Sequence, residues 1–273
     1  MEQQLALALQ RIEQNRTSLG PSLDLSDLGL HQIPEEVFEL KHLVQLTLGK
    51  RDGQNPNSIE FVPDSIKELV HLEGLNLTHN KLVDLPEGMQ ALQKLKNLCL
   101  DYNPILSLPS VVCQLSNLEV LVLNHVALDS MPEELQQLRQ LKQLIMAHGQ
   151  LNEFPKSICY LGSLEVLLIT HQPFAQLPDS IAHLVCLREL YLMDNCLTHL
   201  PAAIGQLPEL KKLFLDNNPL QSLPPEISSA PKLYQLKVQG ASLQTPPQAI
   251  AEKGMYAVRD FFTQSKQAFA KHA

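Results

Sequence analysis

Four side chains that could bind a metal ion or exchange a proton recur at one spacing in the middle of this chain. They are His125, His148, His171 and Asp194, and each lies 23 residues after the one before it. Imidazole nitrogens and carboxylates are ligands of zinc and related metals, and histidine changes its charge near neutral pH. The spacing allows three hypotheses: a metal site, a pH-sensitive column of charges, and a polar contact surface for a partner.

The same spacing organises the leucines and prolines of nearly the whole chain. Ten segments contain a leucine, which we number position 1, another apolar residue at position 3, which is leucine in seven of them, and a proline at position 12, counted without the six extra residues of the second segment. The first leucines are Leu23, Leu46, Leu75, Leu98, Leu121, Leu144, Leu167, Leu190, Leu213 and Leu236. Only the step from Leu46 to Leu75 differs, with 29 residues instead of 23. Leucines repeated with a period of roughly 20–29 residues are the signature of a leucine-rich-repeat solenoid.

Each repeat carries the pattern of a strand followed by a short helical segment. Leucines at positions 1 and 3 alternate with other residues, which is the period of a strand. Proline at position 12 suits the start of a helical turn. One repeat cannot bury its leucines alone, so the repeats must stack and both ends need caps. The sequence therefore predicts an α/β solenoid: a leucine-rich-repeat horseshoe with ten parallel strands on its concave side, short helices or 3₁₀ turns on its convex side, and helical caps.

The predicted domain boundaries follow from the first and last repeats. Residues 1–22 are expected to form an N-terminal capping helix and lead-in, residues 23–247 the ten repeats, and residues 248–273 a C-terminal capping helix. The longer second repeat places an insertion near residues 49–56, whose glycine, asparagine and proline residues favour a surface loop. Such insertions often serve binding, and a length variant without a function is the alternative.

The outward-facing side of the predicted strands carries an apolar stripe. Position 2 is apolar in six consecutive repeats: Cys99, Val122, Ile145, Leu168, Tyr191 and Phe214. Met193, at position 4, widens the stripe. With strands roughly 4.8 Å apart, the six side chains would form a row roughly 24 Å long. An apolar patch with polar edges marks an interaction site, whereas strand propensity alone would place similar residues there without a function.

Position 5, which the repeat pattern also assigns to the outward-facing side of the strand, forms a second column beside this stripe. It holds Tyr102 in the fourth repeat, followed by the three histidines and the aspartate. We expect this column to join the stripe in binding a partner, because three ligands in a line offer no fourth ligand for a tight metal site. The asparagine common at position 6 is replaced in the histidine repeats by Val126, Gly149 and Gln172. Such a departure from a local rule favours a functional site.

The repeat consensus L-P-x-x-I-x-x-L-x-x-L-x-x-L-x-L-x-x-N-x-L resembles the short repeats of intracellular Ras-group, Roco-type and bacterial cytoplasmic leucine-rich-repeat proteins. The resemblance covers about residues 23–250. Residues 246–258 are similar to the closing motif of bacterial arrays, P-P-x-x-I-x-x-x-G-x-x-A-[IV]. The resemblance implies protein–protein interaction in intracellular signalling; the regulatory repeat portion or a partner of a GTPase or kinase is an alternative. It does not imply catalysis, and the sequence lacks the phosphate-binding motif G-x-x-x-x-G-K-[ST].

The composition excludes some classes of partner and favours one cellular compartment. A formal net charge of −8 argues against nucleic acid, whose binding needs a basic surface. No apolar run approaches the roughly 20 residues of a membrane-spanning helix, so no membrane partner is expected. Five scattered cysteines favour reduced thiols and a cytoplasmic protein. We expect a non-catalytic chain without a cofactor, with a monomer favoured, that binds a protein or peptide; a metal-dependent site on the histidine column is the second alternative.

Overall fold

The computed structural model describes residues 2–272 and the side chains of residues 3–267. The chain forms two compact units that divide after Met146. In each unit the repeats contribute short strands, and neighbouring strands run parallel. The parallel strand arrangement predicted from the L-x-L spacing is therefore confirmed.

The first unit begins with a helix and continues with six strands. The helix is α1 (Glu2–Ser18), and the strands are β1 (Ser22–Asp24), β2 (Gln45–Thr47), β3 (Gly74–Asn76), β4 (Asn97–Cys99), β5 (Val120–Val122) and β6 (Gln143–Ala147). The 3₁₀ helices between them are η1 (Glu35–Glu39), η2 (Asp64–Glu68), η3 (Glu87–Ala91), η4 (Ser110–Gln114) and η5 (Glu133–Gln137). Neighbouring strands pair leucine with leucine, as Leu98 pairs with Leu121.

The second unit contains four strands and ends in two helices. The strands are β7 (Val166–Thr170), β8 (Glu189–Tyr191), β9 (Lys212–Phe214) and β10 (Gln235–Lys237). The 3₁₀ helices are η6 (Lys156–Tyr160), η7 (Asp179–His183), η8 (Ala202–Gln206) and η9 (Pro225–Ser229), and the α-helices are α2 (Gln248–Ala251) and α3 (Met255–His272). The single C-terminal helix expected from the sequence is divided because Gly254 adopts a φ of +95°, which helices do not accommodate. Within residues 2–272, no helix has both the length and the apolar character needed to cross a membrane.

The proline of each L-P pair stands one residue before the 3₁₀ helix rather than inside it. Pro109, for example, has φ −57° and ψ 134°, and η4 begins at the next residue. Its carbonyl oxygen accepts a hydrogen bond from the Val112 N–H at 3.0 Å, which closes the first turn. Proline fits here because its ring fixes φ near this value and its missing N–H is not needed at the helix start.

Leucines from successive repeats form the core of each unit. Leu100, Leu123 and Leu192, which the repeat pattern places inside, have at most 1% of their surface exposed. Burying one such side chain contributes roughly 1.5–3 kcal/mol to folding. In a repeat array each repeat contacts only its neighbours, so a repeat gains this free energy only inside a stack.

The asparagine at position 6 connects neighbouring repeats through the backbone. The Asn103 amide donates to the Leu77 carbonyl of the preceding repeat at 2.9 Å and to the Leu100 carbonyl of its own repeat at 3.0 Å. Its side-chain oxygen accepts from the Leu82 N–H at 3.0 Å. After the insertion, Asn57 makes the equivalent bonds to the carbonyls of Leu25 and Leu48. The insertion therefore lengthens the surface loop and leaves the stacking unchanged.

Two polar side chains close the ends of the described array. In the first unit, the Asn15 amide of α1 donates to the carbonyls of Gly20 and Ser22, at 3.1 and 2.9 Å. In the second unit, the guanidinium of Arg259 on α3 donates to the carbonyl of Leu233 at 2.9 Å and to the carbonyl of Ala230. Terminal repeats lack a neighbour on one side, so these bonds satisfy carbonyls that stacking would otherwise leave open.

We expect Asn103→Ala to destabilise the fold much more than the removal of a surface asparagine. The substitution leaves buried backbone groups without partners, which should lower the free energy of unfolding by at least about 2 kcal/mol. Asn117→Ala is the control, because Asn117 is exposed and its amide makes one bond, to the Gln93 carbonyl; it should change stability by less than about 0.5 kcal/mol. Urea unfolding followed by circular dichroism measures both, and equal losses would contradict the proposed role of position 6.

Candidate functional site

The predicted apolar residues lie side by side on the exposed face of the strands, which we call the strand face. In the first unit, Cys99 pairs with Val122 and Val122 with Ile145 across β4, β5 and β6; we call these three the first apolar row. In the second unit, a second apolar row is formed by Leu168, Tyr191 and Phe214 on β7, β8 and β9. All six side chains are partly exposed. Each row therefore presents apolar surface that the core does not use.

The rings of the second apolar row are held in fixed orientations. Tyr191 and Phe214 meet edge to face, with ring centroids 5.0 Å apart and an interplanar angle of 87°. The Lys237 ammonium lies 5.1 Å from the centroid of the Phe214 ring. The Tyr191 hydroxyl donates to the Glu189 carboxylate at 2.5 Å, and that carboxylate also binds the Lys212 ammonium at 2.8 Å. These contacts reduce the rotamer freedom that Tyr191 would lose on binding a partner.

The ionisation of this cluster follows from its contacts. The hydrogen bond from Lys212, followed by that from Tyr191, lowers the pKa of Glu189. Burial and then the hydrogen bond to Glu189 raise the pKa of the Tyr191 hydroxyl. Glu189 is therefore an acceptor and Tyr191 a donor at neutral pH, and the tyrosine presents a neutral ring to solvent.

The first apolar row contains a thiol whose surroundings favour its protonated form. The Cys99 sulfur lies 3.0 Å from the Thr78 hydroxyl oxygen. Burial raises the pKa of the Cys99 thiol, with the hydrogen bond to Thr78 acting in the opposite direction. Because the nucleophilic form of cysteine is the thiolate, Cys99 behaves here as a small apolar side chain.

Ion pairs between neighbouring repeats border the strand face where the strands begin. In the first unit Glu73 binds Lys96 at 2.9 Å and Glu119 binds Lys142 at 2.7 Å. In the second unit Glu165 binds Arg188 at 2.9 Å. This border was not predicted from the sequence, although acids and bases alternate there with the 23-residue period. Pairing neutralises these charges and leaves a hydrated, polar edge beside each apolar row.

Position 5 does not belong to the strands, so its predicted placement on their outward-facing side is wrong. In eight of the ten repeats the position-5 residues lie just beyond the strand and adopt left-handed backbone conformations, with φ between +54° and +59°. They are Asp27, His79, Tyr102, His125, His148, His171, Asp194 and Asn217. Asparagine, aspartate and histidine are several-fold enriched in this conformation. The backbone therefore explains part of the residue preference that suggested a functional column.

Within each unit, the position-5 side chains contact one another. In the first unit Tyr102 stacks on His125, with ring centroids 4.1 Å apart and an interplanar angle of 15°. In the second unit the rings of His148 and His171 lie 3.9 Å apart, and His171 Nε2 is 3.6 Å from Asp194 Oδ2. The Asn217 amide donates to Asp194 Oδ1 at 2.8 Å. Ring contacts and hydrogen bonds therefore connect neighbouring repeats along the column within each unit.

The geometry gives the metal hypothesis no support. In the described part of the chain, no three histidine, cysteine, aspartate or glutamate side chains are arranged to hold one ion. The rings of His148 and His171 lie against each other at a tilt of 32°. Rings stacked in this way present faces to each other, whereas zinc needs nitrogen atoms converging at roughly 2.0–2.1 Å from the ion.

The missing position-6 asparagines have a packing explanation in the second unit. Gln172 takes over the role, because its side-chain oxygen accepts from the Leu151 N–H at 3.1 Å. A Cβ atom at Gly149 would lie 2.8 Å from that Gln172 oxygen, so the glycine makes room for the longer side chain. In the first unit, Val126 is 2% exposed and extends the core. These local causes replace the functional interpretation of the missing asparagines.

Sequence and structure comparisons agree with this architecture. A family model described as leucine rich repeat matches residues 162–220. No curated protein matches the chain in sequence. Among solved structures, it is similar to the LRR ectodomain of the plant membrane receptor kinase GASSHO1/SCHENGEN3 from Arabidopsis thaliana in complex with CASPARIAN STRIP INTEGRITY FACTOR 2. That similarity has 32% identity and a TM-score of 0.62, and covers 78% of this chain and 26% of that chain.

Two further structures show the shared fold alone. An internalin, InlF of Listeria monocytogenes, is 19% identical with a TM-score of 0.61, over 84% of this chain and 70% of that chain. The Toll–Spatzle complex of Drosophila gives 23% identity and a TM-score of 0.70, over 79% and 29% of the two chains. This chain spans only 26–44% of three receptor chains that it matches. The fold is a leucine-rich-repeat solenoid.

We expect His171→Asn to preserve stability and His171→Val to reduce it. Both remove the ring that contacts His148, so their difference isolates the effect of the backbone. Asparagine accepts a φ of +56°, but a β-branched residue does not, and valine should lower the free energy of unfolding by at least about 1 kcal/mol relative to asparagine. Urea unfolding of the two variants measures the difference; equal stability would show that the left-handed conformation does not select the residue at position 5.

Proposed function

We propose that this chain is a non-catalytic recognition module that binds a protein or peptide on the strand faces of its units. The observation that carries the proposal is the second apolar row, with Tyr191 and Phe214 at its centre. These side chains are partly exposed, ordered by their neighbours and not required by the core. Exposed apolar groups with polar borders are the usual composition of a protein-binding surface.

The surroundings of the second apolar row fit the anatomy of an interface. The Glu165–Arg188 pair borders the face where the strands begin, and His171 and Asp194 border it where they end. In a bound complex, the polar rim of an interface shields its apolar centre from water. Aromatic residues at that centre supply most of the binding energy. Met193, a flexible and polarisable side chain at the same face, can adapt to the shape of a partner.

The first apolar row supports the same function for the first unit. Val122 and Ile145 are partly exposed, and the Glu119–Lys142 pair lies at the strand starts beside them. Tyr102 and His125 supply a stacked pair of rings just beyond the strand ends. This face lacks an aromatic residue in the row itself, so we expect it to contribute less binding energy than the second.

We place this function in the cytoplasm, in intracellular signalling, on the support of the cysteines and of the resemblance to intracellular repeat proteins. All five cysteines are free, and Cys186 and Cys196 are exposed. Exposed, unpaired thiols suit a reducing compartment. In intact cells producing the chain, a membrane-permeant maleimide should modify both thiols and an impermeant one should leave them unmodified. Mass spectrometry reads the result, and labelling by the impermeant reagent would contradict this location.

The binding proposal predicts that Tyr191→Ala combined with Phe214→Ala removes a partner without unfolding the chain. Loss of two central aromatic contacts should cost at least about 2 kcal/mol of binding, a weakening of roughly thirtyfold. Partners isolated with the wild-type chain are identified by mass spectrometry, and their Kd values are then measured by calorimetry. Ile145→Asp provides a separate test of the first apolar row.

The control for this experiment is Tyr160→Ala. Tyr160 is an equally aromatic and 52% exposed residue, but it lies on η6 rather than on the strand face. Melting curves should show the double variant and the control folded. If the double variant retains wild-type affinity, or if Tyr160→Ala abolishes binding, the strand face is not the binding surface.

A further inference from the structure

The position-5 columns of the two units differ in what covers them. In the first unit the insertion folds over the column, and the Arg51 guanidinium lies 5.4 Å from the centroid of the Tyr102 ring. At its other end the Asn55 N–H donates to the Asp27 carboxylate at 2.5 Å, and the Asn55 carbonyl accepts from Gly29 at 2.9 Å. A loop of the chain itself therefore covers this column and places a cation, Arg51, on its Tyr102 ring.

In the second unit the equivalent column is open. The repeats that follow Ala147 keep the 23-residue period, so none has an insertion to cover it. His148 and Asn217 are exposed, and the side chains of His171 and Asp194 are 44% and 35% exposed. The column thus leaves part of the His171 imidazole, on the side away from His148, and part of the Asp194 carboxylate exposed to solvent.

The charges on this face also differ from those at the strand starts. Glu165 and Glu189 are bound to the cations of Arg188 and Lys212. Asp194 receives the Asn217 amide and lies next to His171, while Asp216 receives the Gln239 N–H at 2.7 Å. Among residues 3–267, neither aspartate has a lysine or arginine ion pair. The edge beyond the strand ends is therefore negative, in a chain whose formal net charge is −8.

Building on the proposed function, we propose that the partner of the second unit is an extended segment carrying an arginine next to an apolar residue. The guanidinium lies over the His171 ring and binds the Asp194 carboxylate, and the apolar side chain packs on Tyr191 and Phe214. Arginine combines the planar face that stacks on rings with the donors that match a carboxylate. Arg51 on Tyr102 is the chain's own example of that stacking.

The dimensions of the face suit one short segment. Tyr191 and Asp194 are three residues apart on the same repeat, and because the backbone turns at Asp194, their Cα atoms lie closer than the roughly 10 Å of three extended residues. An arginine side chain reaches much of that distance. An arginine bound at Asp194 and an apolar residue packed on Tyr191 can therefore be adjacent or next-but-one in the partner's sequence. Lysine fits less well, because its ammonium lacks the planar face.

The test selects peptides from a random dodecapeptide display library on the immobilised full chain. Enriched peptides are synthesised with a fluorescent label, and fluorescence anisotropy gives their Kd values. We expect them to contain an arginine within two residues of an aromatic or aliphatic residue. Replacing that arginine by the neutral isostere citrulline should weaken binding to the wild-type chain by at least about tenfold, the loss expected for a charge-assisted bond.

The protein variants assign this arginine to its site. Asp194→Asn preserves shape and tolerates the left-handed backbone; it should weaken the arginine peptide by at least about tenfold and leave the citrulline peptide within about twofold. Asp260→Asn is the control, because it removes the same charge from an exposed position on α3. It should change neither Kd.

The outcomes distinguish this proposal from the proposed function on which it rests. Three results would overturn the arginine site and leave the binding face in place, if the peptides still require Tyr191 and Phe214. The peptides could lack a cation, they could bind through lysine as well as through arginine, or they could bind the Asp194→Asn chain with wild-type affinity. Peptides that bind equally to the Tyr191→Ala, Phe214→Ala chain, or no enrichment at all, would overturn both. A dimer of this chain that dissociates with that double substitution would also overturn the arginine proposal, because a second copy would then occupy the face.

Discussion

The fold depends on one constraint: a repeat can bury its leucines only against the leucines of its neighbours. Register follows from this constraint, because leucine must lie opposite leucine on adjacent strands, as Leu190 does with Leu213. The asparagine at position 6 makes neighbouring repeats depend on each other through hydrogen bonds as well, because its amide binds carbonyls of two repeats at once. Core and turn thus impose the same 23-residue period, which leaves the strand face as the part of each repeat free to vary.

The elements that depend on this period could be predicted from the sequence, and those that depend on exceptions to it could not. The strands, the buried leucines and the exposed apolar residues at position 2 follow directly from periodicity. The division of the C-terminal helix at Gly254 depends on a single backbone angle of +95°. The roles of Asn15 and Arg259 depend on which carbonyls the terminal repeats leave open, and a sequence pattern does not identify these.

The histidine column shows how one residue type can satisfy two requirements. The left-handed backbone at position 5 favours histidine, asparagine and aspartate before any partner is considered. The sequence alone placed these residues in a strand and therefore assigned their recurrence entirely to function. The stacked rings of Tyr102 and His125, and those of His148 and His171, then add surface properties that the backbone does not require. The negative edge at Asp194 depends likewise on which acids have a cation nearby, which appears only in three dimensions.

The position of Asn57 has a consequence for how such a chain can change over time. The asparagine makes its bonds to Leu25 and Leu48 six residues later in the sequence than the period would place it, so the register recovers after the extra residues. A loop between the strand end and this asparagine can therefore lengthen, shorten or be exchanged without moving the stack. Genetic variation at this point alters what covers the position-5 column, one repeat at a time, while folding remains under the control of residues elsewhere.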